Sequence, residues 1–146
     1  ADGKFSTDIK MEKVSAYKII VYKNNYFNYE EDIPSDSFVD DGSYIFNYSI
    51  SPIGYIKLRA VNNLPYDSSD FISYRFSSNY LNCFNCCNNI ANKGYGQFFD
   101  STFVCKAEGG SQLIVTWNVI KNNQSSYNNA NIYCPAFDTT YFEISY

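Results

Sequence analysis

The residues with the most distinctive chemistry in this 146-residue chain are five cysteines, all of them in its second half. Cys83, Cys86 and Cys87 crowd into one Asn-rich stretch, whereas Cys105 and Cys134 stand alone. Such a distribution is typical of a small domain held by disulfides in an oxidising compartment. Adjacent cysteines rarely bond to each other, because a disulfide needs their Cα atoms further apart. We therefore predict that two of the crowded three pair with Cys105 and Cys134, and that the third stays free or bonds to another chain.

A zinc site is the alternative chemistry for four of these cysteines. In it, Cys83-x-x-Cys86 would supply two ligands, and Cys105 and Cys134 would supply the others. A strong zinc signature contains a second close pair, which this sequence lacks, so disulfides are favoured. The chain also has no histidine, which excludes His-containing catalytic triads, His general bases and His metal ligands.

Carboxylates cluster in the first half of the chain, in a stretch that its composition predicts to be an acidic loop. The members of this stretch are Glu30, Glu31, Asp32, Asp36, Asp40 and Asp41. Calcium takes six to eight oxygen ligands in flexible geometry, so the stretch is a candidate calcium site. The alternative is a solvated acidic loop, and the same two interpretations apply to Asp67 and Asp70.

Catalysis would have to rest on carboxylates or on cysteine. A glycosidase needs only two carboxylates, and Asp100, Glu108 and Glu143 lie in or beside predicted strands. Their spacing does not pair them, and Glu143 alternates onto the same strand face as Tyr141. A cysteine nucleophile would lack its usual histidine, and the sequence has neither a Gly-x-Ser-x-Gly elbow nor a phosphate-binding loop. We therefore expect no enzymatic activity, and no cofactor unless the acidic stretch binds calcium.

Tyrosine is the main candidate for recognition, with 15 residues in the chain. A tyrosine side chain offers a broad ring and a hydroxyl group, which suits half-wet contacts with glycans or proteins. Five tyrosines fall in predicted loops: Tyr26, Tyr29, Tyr80, Tyr95 and Tyr127. They form a predicted recognition surface, unless they fold back and pack within their own loops.

The elements that would position these side chains are strands, because apolar and polar residues alternate along the sequence. In 55–61, for example, Ile56, Leu58 and Ala60 oppose Lys57 and Arg59. The predicted strands are 13–23, 43–51, 55–61, 71–77, 97–106, 112–120, 130–134 and 139–146. Turn-forming sequences separate them, and helix is expected only as a short turn at 88–93. The pattern predicts one domain over residues 1–146, an all-β, antiparallel β-sandwich stapled by disulfides.

Residues 18–58 resemble a βγ-crystallin Greek-key motif. Tyr22 and Phe27 match the aromatic positions of the first hairpin, although Tyr29 stands where the family has glycine. Asn47 and Ser51 match the calcium motif, whereas Tyr48 and Pro52 do not. The resemblance implies a structural module with at most a weakened calcium site.

Charge, hydropathy and sequons bear on compartment and partners. The formal net charge of −4 argues against a nucleic-acid binder, and no apolar run approaches the 18 residues of a membrane span. The first residues look like a mature end after signal cleavage. Asn47 and Asn123 begin Asn-x-Ser sequons that would be glycosylated in a secreted chain. We therefore expect a glycoprotein that is extracellular or stored in secretory granules.

Together these features predict a non-catalytic, secreted structural or adhesive subunit. It would self-associate into a homo-oligomer or polymer in an extracellular or granule-derived assembly, with the odd cysteine available for an interchain disulfide. One alternative is a lectin-like or calcium-dependent recognition domain that binds glycans or proteins through loop tyrosines. A second alternative is a secreted toxin or effector.

Overall fold

The computed structural model describes residues 7–8, 10, 14–39, 42–77, 83 and 85–146. The chain divides into two compact units, residues 1–50 and 51–146. The described residues contain nine strands, namely β1 (Ala16–Val21), β2 (Tyr29–Pro34), β3 (Ile53–Val61), β4 (Phe71–Ser77), β5 (Asn92–Tyr95), β6 (Asp100–Glu108), β7 (Ser111–Lys121), β8 (Gln124–Cys134) and β9 (Thr139–Ser145). The all-β class is thus confirmed. None of the helical structure in these ranges could cross a membrane.

The first unit is an antiparallel pair, β1 with β2, followed by a 3₁₀ turn at Ser35–Ser37. The strand predicted at 43–51 is wrong, because residues 42–50 form no sheet pairing. Their alternating rings still act together: Phe38 contacts the rings of Tyr44 and Phe46, with centroids 5.0 and 6.2 Å apart. Ring packing, rather than a backbone ladder, therefore organises this segment.

The second unit is a sandwich of two sheets. One has three strands in the order β6-β3-β9, and the other has four in the order β5-β4-β7-β8. All pairings are antiparallel except β3 with β9, which run parallel. The predicted disulfide-stapled sandwich is confirmed here. A single domain over residues 1–146 stays a prediction, because the sandwich itself occupies only the second unit.

The core lies between these two sheets and follows the alternation of the sequence. Ile56, Leu58 and Ala60 of β3 point inward and have no exposed surface. Ile72 and Phe76 of β4 meet them from the other sheet. Complete burial of a Leu, Ile or Phe side chain stabilises a fold by roughly 1.5–3 kcal/mol. The odd-numbered residues of β3 consequently face outward.

Two connections depend on unusual backbone angles. The chain crosses between the sheets at Gly109 and Gly110, where Gly110 has φ +83° and a Cβ on Gly109 would lie 2.6 Å from Ala136 Cα. β7 and β8 are joined by Asn122 and Asn123, with φ +47° and +57°. Two consecutive positive φ values define a tight hairpin turn, for which Asn is well suited. This turn sets the register of the whole hairpin.

Two local predictions are wrong. The helical turn expected at 88–93 is absent, and β5 (Asn92–Tyr95) occupies part of that range and pairs with β4. The strand expected at 130–134 begins six residues earlier, at Gln124. The polar residues Gln-Ser-Ser were interpreted as turn sequence, but only the two preceding asparagines make the turn.

Candidate functional site

The cysteines form two disulfides, and only one of them follows the prediction. Cys87 bonds to Cys105 of β6, as expected for a crowded cysteine with an isolated one. Cys83 instead bonds to Cys86, three residues along the chain. Cys134 is unpaired and buried, so its predicted disulfide is wrong. The zinc alternative is also overturned, because three of its four proposed ligands are consumed in disulfides.

The segment around Cys87 covers the outer edge of β6 at Lys106. Cys87 N–H donates to Lys106 O over 2.8 Å, and Lys106 N–H donates to Asn85 O over 2.8 Å. On the opposite sheet, Phe76 N–H donates to Asn88 O over 3.0 Å. The four residues 85–88 therefore bridge the two sheets by backbone hydrogen bonds, and the disulfide fixes them to β6.

Cys134 lacks a partner because its side chain fills the core. It lies on the inner face of β8, so close to Gly54 that a Cβ there would be 2.5 Å from the Cys134 sulfur. Burial raises the pKa of the thiol, which keeps it protonated and unreactive. Cys134 thus acts as a small apolar side chain. Because Cys134 is the unpaired cysteine and is buried, we no longer expect the predicted interchain disulfide.

Three carboxylates of the predicted acidic loop lie in a strand instead. Glu30, Glu31 and Asp32 belong to β2, where successive side chains point to opposite faces. Lys18 Nζ contacts Glu30 Oε2 at 2.9 Å, and this hydrogen bond and its charge raise the pKa of Lys18. The strand therefore does not turn these three carboxylates toward one cation.

The rest of the acidic stretch gives no gathered ligand set. Asp36 lies in the 3₁₀ turn and is exposed, and Asp40 and Asp41 lie outside the described residues. Within the described ranges, no three or more acidic or cysteine side chains gather around a point that could hold a metal. Calcium binding stays a prediction.

The tyrosines expected in loops are mostly in strands. Tyr29 begins β2, Tyr95 ends β5, and Tyr127 lies within β8. Tyr26 is the one with a loop position, under the Lys23 ammonium at 4.3 Å, and Tyr80 lies outside the described residues. Tyr95 and Tyr127 are 66% and 65% exposed, on opposite edge strands of one sheet. A single recognition surface made of these tyrosines stays a prediction.

Both predicted glycosylation sites are exposed. Asn47 lies in the unpaired segment 42–50, and Asn123 is the second residue of the β7–β8 turn. Exposure makes both side chains accessible, and glycosylation of either stays a prediction.

The outer edge of β8 is a long open backbone surface in the described part of the sandwich. In the two-residue hairpin, Lys121 and Gln124 flank the turn and form a hydrogen-bonded pair. Since hydrogen-bonded and non-hydrogen-bonded positions alternate, the N–H and C=O groups of odd-numbered β8 residues point away from β7. Tyr133 O in this row accepts a hydrogen bond from Thr140 Oγ1. Within residues 51–146, no described residue makes a backbone hydrogen bond to the outward N–H and C=O groups of the run 125–131.

The composition of β8 also sets it apart. The eleven residues Gln-Ser-Ser-Tyr-Asn-Asn-Ala-Asn-Ile-Tyr-Cys contain no charge and no proline. Residues 124–129 are exposed on both faces of the strand, so the start of β8 overhangs the core. Lysine, proline, bulges and short length are the features that normally block strand addition at an edge. β8 contains no lysine and no proline, and it is as long as β7, the other eleven-residue strand described.

A charged cluster lies on the outer face of the three-stranded sheet. Arg59 of β3 donates to both carboxylate oxygens of Asp100, over 2.9 and 2.7 Å, and to Glu143 Oε2 over 3.1 Å. The hydrogen bond from Arg59, ahead of opposing burial, lowers the pKa of Asp100. Glu108 lies apart and accepts a hydrogen bond from Ser51 Oγ over 2.6 Å. The structure thus brings together two of the three carboxylates that were considered for catalysis.

A buried carboxylate orders the loop between β3 and β4. Asp70 has no exposed surface and accepts hydrogen bonds from Tyr66 N, Asp67 N and Asn62 Nδ2. Burial alone raises the pKa of Asp70, but these hydrogen bonds and the charge of Lys121 hold it below its usual value. Lys121 Nζ in turn donates to Asn62 Oδ1 over 2.7 Å. Because three N–H donors bond to its buried carboxylate, Asp70 acts as a structural anchor for this loop, and calcium binding by Asp67 and Asp70 stays a prediction.

Sequence reasoning missed Arg59, Lys121 and the overhang of β8. Arg59 reaches residues 41 and 84 positions away, and no local pattern encodes such contacts. The β8 edge did carry a signal, since Asn122-Asn123 favours a two-residue hairpin and would have placed a strand directly after it.

Comparison with models of protein families, with curated proteins and with solved structures finds no match to this chain. The βγ-crystallin resemblance of residues 18–58 therefore stays a prediction. The boundary between the two compact units, after Ile50, falls inside that stretch. What the structure itself establishes is an all-β chain whose second unit is a disulfide-stapled sandwich.

Proposed function

We propose that this chain is a secreted, non-catalytic structural subunit that adds to copies of itself through the outer edge of β8. The observation that carries the proposal is the long, charge-free edge formed by residues 125–131, whose outward backbone groups have no partner among the described residues of the second unit. Such an edge is a template for adding another strand.

Pairing of β8 with β8 of a second copy is favoured over self-pairing through another edge strand. Antiparallel pairing of β8 with β8 about a two-fold axis places the same residues on both sides of the contact. The chain carries a net charge of −4, but none of its charges lies on β8, so no like charges face each other. Self-pairing through β9 or β5 would place a charged residue, Glu143 or Lys93, on both sides of the contact.

The side chains of β8 add to the backbone contact. Tyr127, Asn129 and Asn131 share the outward face of the sheet, as their alternation along β8 requires. In an antiparallel pair these side chains would face or lie diagonal to those of the second copy, and such cross-strand pairs stabilise a sheet. The exposed inner face of residues 124–128 offers further surface to a second hairpin.

The chemistry of the carboxylates supports a non-catalytic role. Asp100 and Glu143 both bond to Arg59, and the guanidinium lowers the pKa of Asp100. A glycosidase general acid needs the opposite, a carboxyl whose pKa is raised. The two disulfides support residence in an oxidising compartment, where such bonds persist.

Sedimentation velocity over a dilution series tests the proposal with two matched variants. Tyr127→Lys places a charge beside the open edge, and Tyr95→Lys places the same charge on an equally exposed tyrosine of the opposite edge strand. We expect the wild type to associate with rising concentration. Tyr127→Lys should weaken that association about tenfold, a cost of about 1.4 kcal/mol, while Tyr95→Lys leaves it unchanged.

Asn129→Pro supplies a version without added charge, because proline removes an outward N–H at an edge strand. Unchanged thermal unfolding would show that each variant folds. A wild type that stays monomeric up to its solubility limit would refute the proposal. Equal loss of association in Tyr95→Lys and Tyr127→Lys would refute the role of β8.

A further inference from the structure

The outer face of the three-stranded sheet carries a shallow groove that the proposed assembly leaves unused. Its volume is about 390 Å³, which falls within the range of small-molecule sites. The groove is lined by Lys57, Arg59, Thr102, Tyr141, Phe142 and Glu143. β3 lies in the centre of this sheet, and β6 and β9 supply the neighbouring rows.

Strand register brings the groove together. Tyr141 of β9 is paired with Lys57 of β3, and Glu143 is paired with Arg59. On the other side of β3, Thr102 of β6 is paired with Arg59. Because these positions alternate with the buried Ile56 and Leu58, their side chains share the outer face of the sheet. The groove is therefore a built feature of three packed strands rather than a gap between loops.

Tyr141 provides an apolar platform at one end. Its side chain is 72% exposed, although it lies in a regular strand. The Lys57 ammonium lies 5.1 Å from the ring centroid, which holds the ring by a cation–π contact and leaves most of its surface open. A rigid, exposed ring of this kind can stack against the C–H face of a sugar.

Arg59 provides a fixed polar group at the other end. Its guanidinium is held by two hydrogen bonds to Asp100 and one to Glu143. A guanidinium held in this way is preorganised, so little side-chain entropy is lost when a ligand binds. The carboxylate oxygens keep further lone pairs, and Thr102 adds a hydroxyl, so the cluster can both accept and donate hydrogen bonds.

The charges of the groove select the class of ligand. Among the lining residues, Lys57 and Arg59 are positive and Glu143 is negative. Asp100 is not a lining residue but is bonded to Arg59, and its negative charge brings the sum for the cluster to zero. A ligand with a net charge would gain little there, whereas a ligand with many hydroxyls would satisfy every group. We propose that this groove binds a neutral glycan, with one pyranose ring stacked on Tyr141 and hydroxyls bonded to the Arg59 cluster.

This site is independent of the β8 edge, because the groove lies on the other sheet of the sandwich. An assembly built through β8 would carry one groove per subunit, and repeated grooves strengthen binding to a polymeric glycan by avidity. The outcome of the self-association experiment therefore does not decide the glycan experiment.

Titration calorimetry on the full chain tests the site with defined probes. The neutral probes are cellohexaose, maltohexaose and chitohexaose, and heparin hexasaccharide is the charged probe. We expect at least one neutral probe to bind, and Tyr141→Ala to weaken its affinity about tenfold, as loss of an aromatic anchor does. Tyr95→Ala, a similarly exposed tyrosine on the other sheet, should leave the affinity unchanged.

Arg59→Lys separates a preorganised guanidinium from a simple charge. It keeps the positive charge but loses the two-point contact with Asp100, so we expect weaker binding of the same neutral probe. Added salt should have little effect on a neutral ligand. The proposal is overturned if no neutral probe binds, if only the heparin probe binds, or if Tyr95→Ala weakens binding as much as Tyr141→Ala.

Discussion

The outer edges of β6 and β8 belong to the same sandwich, but they differ in whether another segment of the chain covers their backbone. At β6, residues 85–88 lie alongside the strand, and the Cys87–Cys105 disulfide holds them there. At β8, no described segment of residues 51–146 pairs with the outer edge of residues 125–131, and no charge or proline within the strand blocks the approach of another strand. The β6 edge is thus covered at Lys106 beside a disulfide, whereas the β8 edge is open within the described part of the second unit.

The difference supports the proposed role of β8. An exposed strand edge is a hazard unless pairing is wanted, and the closed edge shows that this fold has a means of protection. The sequence uses that means at β6 and places uncharged Ser, Tyr and Asn residues at β8. An edge left open in this way, in a chain that protects its other long edge, favours a partner at β8.

Removing the cover from β6 should have the largest effect. The Cys87→Ala/Cys105→Ala double variant opens a bond with a sequence separation of 18, which costs about 3 kcal/mol of unfolding free energy by loop entropy. The uncovered β6 edge should also increase association. Urea unfolding and sedimentation velocity measure the two effects.

The Cys83→Ala/Cys86→Ala double variant is the control for this experiment. Its bond spans a sequence separation of only 3, so the expected cost is smaller, about 2 kcal/mol. Because this bond does not reach β6, the edge should stay covered and association should not rise. If the control variant associates as strongly as the Cys87–Cys105 variant, the comparison between the edges fails.

The second-largest expected effect is a loss of unfolding free energy in acid, where protonation of Asp70 weakens the loop that holds Lys121 of β7. Lys121 of β7 is tied to the loop that Asp70 orders, and the pKa of Asp70 is lowered in the folded chain. Its contribution to stability is therefore complete above about pH 4, the usual carboxyl pKa, and is lost as the pH falls through the folded value. Unfolding free energy measured from pH 6 to pH 3 should fall.

Asp70→Asn should be less stable than the wild type at pH 6 and should lose less stability on acidification. The control is Asp100→Asn, since Asp100 also has a lowered pKa but is exposed. Solvent screens an exposed pair, so this variant should keep most of the acid dependence. A steeper acid profile in Asp70→Asn than in Asp100→Asn would contradict the assignment of Asp70 as an anchor.

The smallest effect concerns the thiol. Cys134 is buried, and the other four cysteines form two disulfides. A thiol reagent should therefore label no cysteine in the folded chain and one cysteine per chain in guanidinium. Association should be equal with and without an alkylating agent. A covalent dimer on non-reducing electrophoresis would contradict the burial of Cys134 and a noncovalent contact at β8.

Much of the sandwich could be predicted from the sequence, because alternation reports which side chains share a face. Ile72, Tyr74 and Phe76 are buried between exposed or half-buried neighbours, as the pattern of β4 requires. Alternation does not report whether the backbone finds a partner. Residues 42–50 share a ring-bearing face yet join no sheet, and Glu30 to Asp32 join one despite their charge.

Long-range contacts were the part that sequence could not supply. The partner of Cys87 was anticipated, but the Cys83–Cys86 bond and the burial of Cys134 depend on where 85–88 and β8 lie in three dimensions. Likewise, Asp100 and Glu143 meet only because both flank Arg59 across the sheet. The β8 edge depends on the two-residue turn at Asn122 and Asn123. The sequence Asn-Asn favours such a turn, but the polar composition of the residues around it suggested a longer loop.

Residue-resolved amide hydrogen exchange at low and high protein concentration tests the central claim most directly. Even-numbered amides of β8 bond to β7 and should exchange slowly at every concentration. We predict that the amides of Ser125, Tyr127, Asn129 and Asn131 exchange fast in dilute solution and become protected as the chain associates. Fast exchange of these four amides in associated protein would contradict the claim that β8 is the joining edge.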